Sequence, residues 1–360
     1  MVHAAITGWG KCLPPGILTN ADLATFLDTN DEWITTRTGI RERRVSHVLL
    51  GELGYVAAAR ALAAAGLEGP EIDLIVFGTT SFDEQAPNMA SGVQRRIGAD
   101  GCAAMDVNTA CTSFLYGLSS ATAMIRTGVV RNALVIGAER ISPFMDWTNR
   151  NVAVLFGDGA AAVVLEATDE AEGVLCEKLG CYGDARDILR IKGMGGMYAN
   201  HGKLYGDVDW VFEGPEIFKR AVLGMSQACE AVLARKGFAP DEIDLVVPHQ
   251  ANLRIIEALA KRTHVPMDKV YVNVHRYGNM SAATVPVALC EALEDGRVHP
   301  GSVLLMPAFG GGLTWCAHLV RWGDRTTPLG TTDVDLPPAE QSALEMVRGY
   351  MAVKGGVWSE

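Results

Sequence analysis

The chain has 360 residues, 49% of them hydrophobic and 20% charged, with 39 glycines and a formal net charge of −11. That length supports two domain-sized cores, and the composition is that of a compact α/β protein. The negative charge argues against a general nucleic-acid binder, and no apolar run reaches the length of a membrane span, so neither kind of partner is expected.

The opening MVHAAITGWG lacks a basic stretch followed by an apolar one and predicts a first strand, not a signal peptide. The next strong signal is ELGYVAAARALAAAGLEGP, a helical stretch ending in a glycine turn, followed by EIDLIV at 71–76 and the polar GTTSFDE. VNTACTSFLYGLSSATAMI then reads as a small-residue turn entering an amphipathic helix. ALVIGAE and AAAVVLE are short buried strands.

The same order returns in the second half. GMSQACEAVLARKGFAPD precedes EIDLVV at 242–247, which opens into PHQANL. HRYGNMSAATVPVALCEAL, SVLLMPAFG and CAHLVRW follow. A hexapeptide echo followed by four further features in one order predicts duplication. Strands alternating with helices predict βαβ units and largely parallel sheets. The predicted division is 1–170, 171–322 and a C-terminal extension, 323–360. Within the extension GDRTTPLGTTDVDLPPAE reads as a polar linker and SALEMVRGYMAV as a short amphipathic helix. The duplication predicts that Cys111 and Asn279 occupy nearly matching positions, with His249 emerging at a strand's C-terminal end, where ligands bind in open α/β sheets.

The eight cysteines show no paired spacing; Cys176 and Cys181 are the closest two, and no second pair completes a zinc site. No metal is expected. Mostly buried thiols in a reducing, cytoplasmic setting are expected.

Three residues carry candidate chemistry, each with two readings. Cys111, in DVNTACTSF, is a thiolate favoured by a helix N-terminus, or a small buried hydrophobe. His249, in PHQANLRI, is a catalytic imidazole before a helix begun by Gln250, Ala251 and Asn252, or an exposed loop residue. Asn279, in RYGNMSAATVP, is a hydrogen-bond donor, or a turn and helix cap. Gly310, Gly311 and Gly312 allow close backbone approach, or form a simple hairpin turn. GMGGM at 193–197 lacks the spacing of a dinucleotide fingerprint and reads as a loop.

Taken together, DEWITTRTGIRERR, ACTSFLYGL, FGDGAAAVVL, HQANLRI, GNMSAATVPVAL and AFGGGLTW resemble the β-ketoacyl-acyl carrier protein synthase III family of thiolase-superfamily condensing enzymes, over about 1–322. The resemblance implies a five-layered α-β-α-β-α fold and a homodimer. It implies decarboxylative condensation of an acyl-CoA with malonyl-acyl carrier protein in fatty acid biosynthesis, without a cofactor. Cys111 would accept the acyl group, and His249 and Asn279 would bind the malonyl thioester oxygen. Gly311 would complete an oxyanion hole with Cys111. Trp33 and Arg150 would sandwich adenine, and Thr29, Arg37 and Asn252 would line the coenzyme A and pantetheine tunnel. Phe156 would lie in the acyl pocket, and Lys219, Arg220 and Arg254 would receive an acidic carrier protein, with Lys261 and Arg262 as further candidates.

Several features depart from the family. Ala86 stands where some members place a phenylalanine that closes the acyl pocket from across the dimer, which implies room for medium-chain or bulky primers. Tyr205, Trp210 and Phe212 would reshape the pocket, and the extension is added. An acyltransferase or non-standard condensing enzyme of specialised metabolism, using the same triad, is the alternative. Cys316-Ala317-His318 does not supply the second cysteine of a thiolase, and AFGGG replaces the GFGPG-like turn of chalcone-type synthases. The intact triad speaks against a silent partner subunit.

Overall fold

A computed structural model describes residues 2–194 and 205–357. Thirteen strands are labelled within these residues: β1 His3–Cys12, β2 Gly16–Thr19, β3 Glu42–Val45, β4 Leu74–Gly78, β5 Ala103–Val107, β6 Asn132–Glu139, β7 Gly159–Thr168, β8 Gly173–Cys181, β9 Leu189–Met194, β10 Tyr205–Phe212, β11 Leu245–Val246, β12 Val303–Gly310 and β13 Thr314–Arg321. The longer helices are α1 Asp31–Thr38, α2 Leu50–Ala65, α3 Met89–Ile97, α4 Ser113–Arg126, α5 Gly214–Lys236, α6 Leu253–Thr263, α7 Thr284–Glu294 and α8 Ala343–Val357.

Two sheets organise the molecule, one ordered β1-β7-β6-β4-β5 and the other β11-β12-β13-β8. Helices α4 and α7 lie between them: Phe114, Leu118, Val285 and Leu289 share one core cluster with Val76 and Val135 of the first sheet and Leu304 and Met306 of the second. The outer face of the first sheet packs on α2 and α3 through Ile75, Ile136, Ala57 and Val93. The outer face of the second packs on α5 and α6 through Leu305, Leu319, Val232 and Ile256. This is the five-layered arrangement. Strands buried on both faces need the continuous apolar runs seen in LIVFG and VLLMPAFG.

The sheets are mixed, not largely parallel. Only β4–β5, β4–β6 and β11–β12 are parallel; β1–β7, β6–β7, β12–β13 and β13–β8 are antiparallel. After β12 the chain returns through the tight Gly311–Leu313 turn with no crossover helix, which forces β13 antiparallel.

The repeated EID has one job in both places. Asp73 Oδ2 accepts from the N–H groups of Arg131 and Asn132, and Asp244 Oδ2 accepts from that of Val303. Glu71 and Glu242 each close a single 3-10 turn ahead of the strand by accepting from the N–H three residues back. Each motif thus pins its strand to the next one in the sheet.

The extension packs on its own chain. Arg325 Nη1 donates to the carbonyls of Thr7 and Ala65, and α8 buries Ala343, Met346 and Val347 beside β2 and β3. Among the described residues no helix is long and apolar enough to cross a membrane. Gly195–Met197 of the GMGGM segment and the side chain of Tyr205 lie outside the described residues.

Candidate active site

Two matching turns build the site. The 3-10 turn Ala110–Thr112 leads into α4, and the 3-10 turn Ser281–Ala283 leads into α7. Each opens on a residue in the left-handed region, Ala110 at φ 53° and Ser281 at φ 46°. Each is tied back alike: the Ser113 hydroxyl donates to the Ala110 carbonyl (2.7 Å) and the Thr284 hydroxyl reaches the Ser281 carbonyl (2.9 Å). Asn108 Oδ1 accepts from the Ala110 N–H as Asn279 Oδ1 accepts from the Ser281 N–H. The counterpart of Asn279 is therefore Asn108, and that of Cys111 is Ala282. The expected match of Cys111 with Asn279 is off by three residues.

The two turns touch each other, and the ends of β6 and β12 close around them. Gly310 is the close approach: a Cβ there would come within 2.6 Å of the Cys111 backbone nitrogen. Gly311 faces the methyl group of Ala110. Thr112 and Thr314 join the Cys111 turn to β13 through a 2.8 Å hydroxyl contact.

Cys111 is half-buried. Burial pushes its thiol up to about 12, and the nearby Glu139 adds to the effect. In the resting site the group is therefore a thiol, because desolvation disfavours its charged form. His249 follows β11 and is buried, not an exposed loop residue. Its backbone N–H donates to the Pro307 carbonyl (2.9 Å), and its ring Nδ1 lies 2.6 Å from Thr284 Oγ1. Burial lowers its pKa to about 3, so the imidazole is neutral. Gln250 does not begin a helix. It clamps the loop, donating to the Pro248 and Tyr271 carbonyls and accepting from the Asn273 and Val274 N–H groups. Helix α6 starts at Leu253, with Asn252 as its cap.

Asn279 is held by its backbone to Leu155 and Gly157. With its Oδ1 taken by Ser281, the amide NH2 is the end available to a ligand. Behind it, the fully buried Arg43 of the RERR motif donates to the Leu18 and Val154 carbonyls.

Cys111, His249, Asn279 and Gly311 all line one cavity of about 1050 Å³. Phe156 and Phe212 line it too, and Phe156 packs on Trp210 with ring centroids 5.0 Å apart. Leu189 and Ile191 of β9 extend the apolar wall. At its polar margin Trp33 carries the Arg37 guanidinium 4.4 Å from its ring centre and that of Arg150 at 4.9 Å. Arg150 also donates to the Asp28 carbonyl. Asn252 lines the cavity, and its Nδ2 donates to the Arg37 carbonyl (3.1 Å).

Other expected residues stand apart. Thr29 does not line the cavity. Ala86 is exposed and off the cavity wall of its own chain; Phe82 and Gln85 of the same loop line it instead. Arg254 is exposed and lines the cavity; Lys219, on α5, is exposed, does not line it and lies 4.0 Å from Glu216. Arg220 is occupied, 2.9 Å from Glu216 and 3.3 Å from Asp184, with its guanidinium over the Tyr182 ring. Lys261 and Arg262 are exposed in the last turn of α6.

Sequence reasoning missed Glu139, Ser281 and Thr284; at Gly310 the structure shows the close backbone approach expected of the glycine run. Ser281 and Thr284 had a signal, as the polar residues of NMSAAT; Glu139 is the one charge ending the apolar strand ALVIGAE, a position that reads as solvated. Among the described residues no cluster of His, Cys, Asp and Glu could hold a metal ion.

Comparison with known proteins agrees with this layout. The family model described as 3-oxoacyl-[acyl-carrier-protein] synthase III matches residues 105–183, and the model of that family's C-terminal part matches 233–322. The β-ketoacyl-[acyl-carrier-protein] synthase III 2 of Vibrio cholerae is 53% identical over 345 residues, covering 96% of this chain and 95% of the relative. The β-ketoacyl-[acyl-carrier-protein] synthase III of Roseiflexus castenholzii is 46% identical over 325 residues, covering 89% and 98%. The crystal structure of 3-oxoacyl-[acyl-carrier-protein] synthase III from Aquifex aeolicus superposes with a TM-score of 0.83 at 42% identity, covering 89% of this chain and 100% of that one. With motifs, layers and near full-length matches in agreement, this chain belongs to the β-ketoacyl-acyl carrier protein synthase III family.

Proposed function

We propose that this enzyme condenses an acyl-CoA primer, carried on Cys111, with malonyl-acyl carrier protein to give 3-oxoacyl-acyl carrier protein in fatty acid biosynthesis. The observation that carries the reading is the meeting of Cys111, neutral His249 and Asn279 on the wall of one cavity.

The Cys111 sulfur attacks the acyl-CoA thioester, and backbone N–H groups of Cys111 and Gly311 hold the oxyanion. Coenzyme A leaves. Malonyl-carrier protein then enters, CO2 departs, and negative charge develops on the thioester oxygen. A neutral imidazole and an amide NH2 both donate hydrogen bonds there, so the enolate is stabilised without a base. Its carbon attacks the acyl-Cys111 carbonyl, the bond from that carbon to the Cys111 sulfur breaks, and the released thiolate takes a proton from water to restore the thiol. Both acyl-CoA and the carrier protein are substrates, and the chemistry calls on no cofactor.

Trp33, Arg37, Arg150 and Asn252 hold the coenzyme A end, while Arg254 and Lys219 receive the carrier. The apolar wall from Leu189, Ile191, Trp210 and Phe212 supports primers longer than acetyl. We place the enzyme in the cytoplasm, as a homodimer built on the exposed edge strand β5.

Incubation with mixed acyl-CoAs and malonyl-carrier protein, followed by mass analysis, tests the reading. An acyl adduct on Cys111 and a 3-oxoacyl-carrier product are expected. Acyl transfer without CO2 release sinks the condensation, and an adduct restricted to acetyl sinks the longer primer.

A further inference from the structure

Acylation has no evident base. His249 is a poor acceptor, its Nδ1 engaged by Thr284 and its pKa lowered to about 3 by burial. The Cys111 thiol has been pushed up, not down. A proton must nevertheless leave sulfur as the sulfur–carbon bond forms.

Glu139 is a fully buried carboxylate at the end of β6. Among the described ion pairs none involves it. Hydroxyls hold it instead: Ser81 Oγ at 2.5 Å, Ser281 Oγ at 2.9 Å and Thr79 Oγ1 at 3.2 Å, together with the Thr80 N–H at 3.2 Å. A buried carboxylate with no cation costs free energy, and removing it while keeping the hydroxyls would be the cheaper core. Ser281 connects it to the site, for its hydroxyl also meets the Cys111 thiol and lines the cavity. Ser281 is held there by the left-handed turn and by Asn279 Oδ1.

We propose that the Ser281 hydroxyl, backed by Glu139, takes the Cys111 proton during acylation and returns one to the departing thiolate. As the sulfur lone pair bonds the thioester carbon, the S–H bond breaks and its proton passes to Ser281 Oγ. The original Ser281 proton moves to Glu139 Oε1. When the tetrahedral intermediate collapses, the bond from carbon to the coenzyme A sulfur breaks. That sulfur takes a proton from Ser281, which recovers its own from Glu139. The balance is acyl-Cys111, free coenzyme A thiol and the original carboxylate. Ser281 touches a reacting atom and is catalytic; Glu139 acts through it and is a positioning residue. Burial raises the Glu139 pKa, which brings it closer to that of the thiol and makes the carboxylate a stronger acceptor.

The surroundings leave few competitors. The loop after β4 presents hydroxyls and an N–H, the Ser281 turn a hydroxyl, and the nucleophile turn the Cys111 thiol. Arg140, next in the chain, acts on Asp158, and His249 stands neutral across the cavity.

The inference rests on Cys111 as the acyl acceptor. It is tested by the rate of adduct formation with an acyl-CoA between pH 6 and 9, followed by intact mass, in wild type, Glu139→Gln, Glu139→Asp and Ser281→Ala. Removing a general base slows a step by about 10²–10⁴-fold. Losses of that order are expected in Glu139→Gln and Ser281→Ala, with rates that climb with pH toward the thiol's own pKa; Glu139→Asp recovers part of the rate. Circular dichroism and a melting temperature close to the wild type's show that a slow variant is folded. If Glu139→Gln does not fold, Ser281→Ala decides alone. Wild-type rates in the variants, or uniform slowing with an unchanged pH profile, overturn the relay. A wild-type enzyme that forms no adduct overturns the parent reading and the relay with it.

Discussion

Thr284 shows how one hydroxyl sets the character of a neighbouring ring. Its Oγ1 lies 2.6 Å from His249 Nδ1 and 2.9 Å from the Ser281 carbonyl, and its single proton serves one of them. Given to Nδ1, it leaves the N–H on Nε2, where an enolate oxygen needs a donor. Thr284→Val should therefore slow condensation on the order of tenfold, the equivalent of about 1.4 kcal/mol. Asn279→Ala, which removes a whole donor, should cost about 10²–10³-fold. Both should leave Cys111 acylation much closer to wild type, measured as adduct formation apart from product formation. A burial-lowered His249 pKa also fixes the sign of a pH effect. The ring stays neutral above about 3 and is protonated only as pH falls toward that value. Condensation by pre-acylated enzyme should show no acid limb from His249 above about pH 5; a limb near the ordinary histidine value of about 6.5 that vanishes in His249→Asn would contradict this.

At the level of elements, the end of β12 acts as a backstop for the nucleophile turn. Gly310→Ala places a Cβ within 2.6 Å of the Cys111 nitrogen, against rigid backbone. We expect about 2 kcal/mol of destabilisation, seen in denaturant melts, and an acylation rate at least about tenfold lower; near wild-type values for both would mean the backstop yields. Much at this scale was legible in the sequence. The glycine run, the EID echoes and the strand-then-turn wording located β4, β11, β12 and both turns. Cys111, His249 and Asn279 were legible because reactive residues interrupt apolar strands and small-residue turns. Glu139 was not, because a charge ending a strand is usually solvated and only the tertiary fold covers it. The antiparallel returns β7 and β13 were hidden for a related reason: a buried strand has the same composition in either direction. The offset between Cys111 and Asn279 was lost because φ and hydrogen bonding, not residue identity, define the repeated turn.

The whole molecule ties its extension to the first half. Trp322 Nε1 donates to the Arg325 carbonyl, Arg60 pairs with Asp335 at 3.0 Å, and α8 buries Met346 and Val347. Burial of one such side chain contributes roughly 1.5–3 kcal/mol. The match to the Vibrio cholerae protein spans 345 residues, more than precede the extension. Among the described residues none of the extension lines the cavity. Truncation after Trp322 should lower Tm by about 5 °C or more while the remaining folded enzyme still acylates Cys111; an unchanged Tm would make the extension a passive tail. Finally, one shared cavity imposes a timetable. Under the proposed function the same walls would take the coenzyme A arm and later the carrier's arm, so the first thiol would have to vacate before the second substrate reacts. Initial rates against one substrate at fixed levels of the other should trace parallel lines in a double-reciprocal plot. Excess coenzyme A should act as a queue, holding back the carrier instead of competing for the chemistry itself.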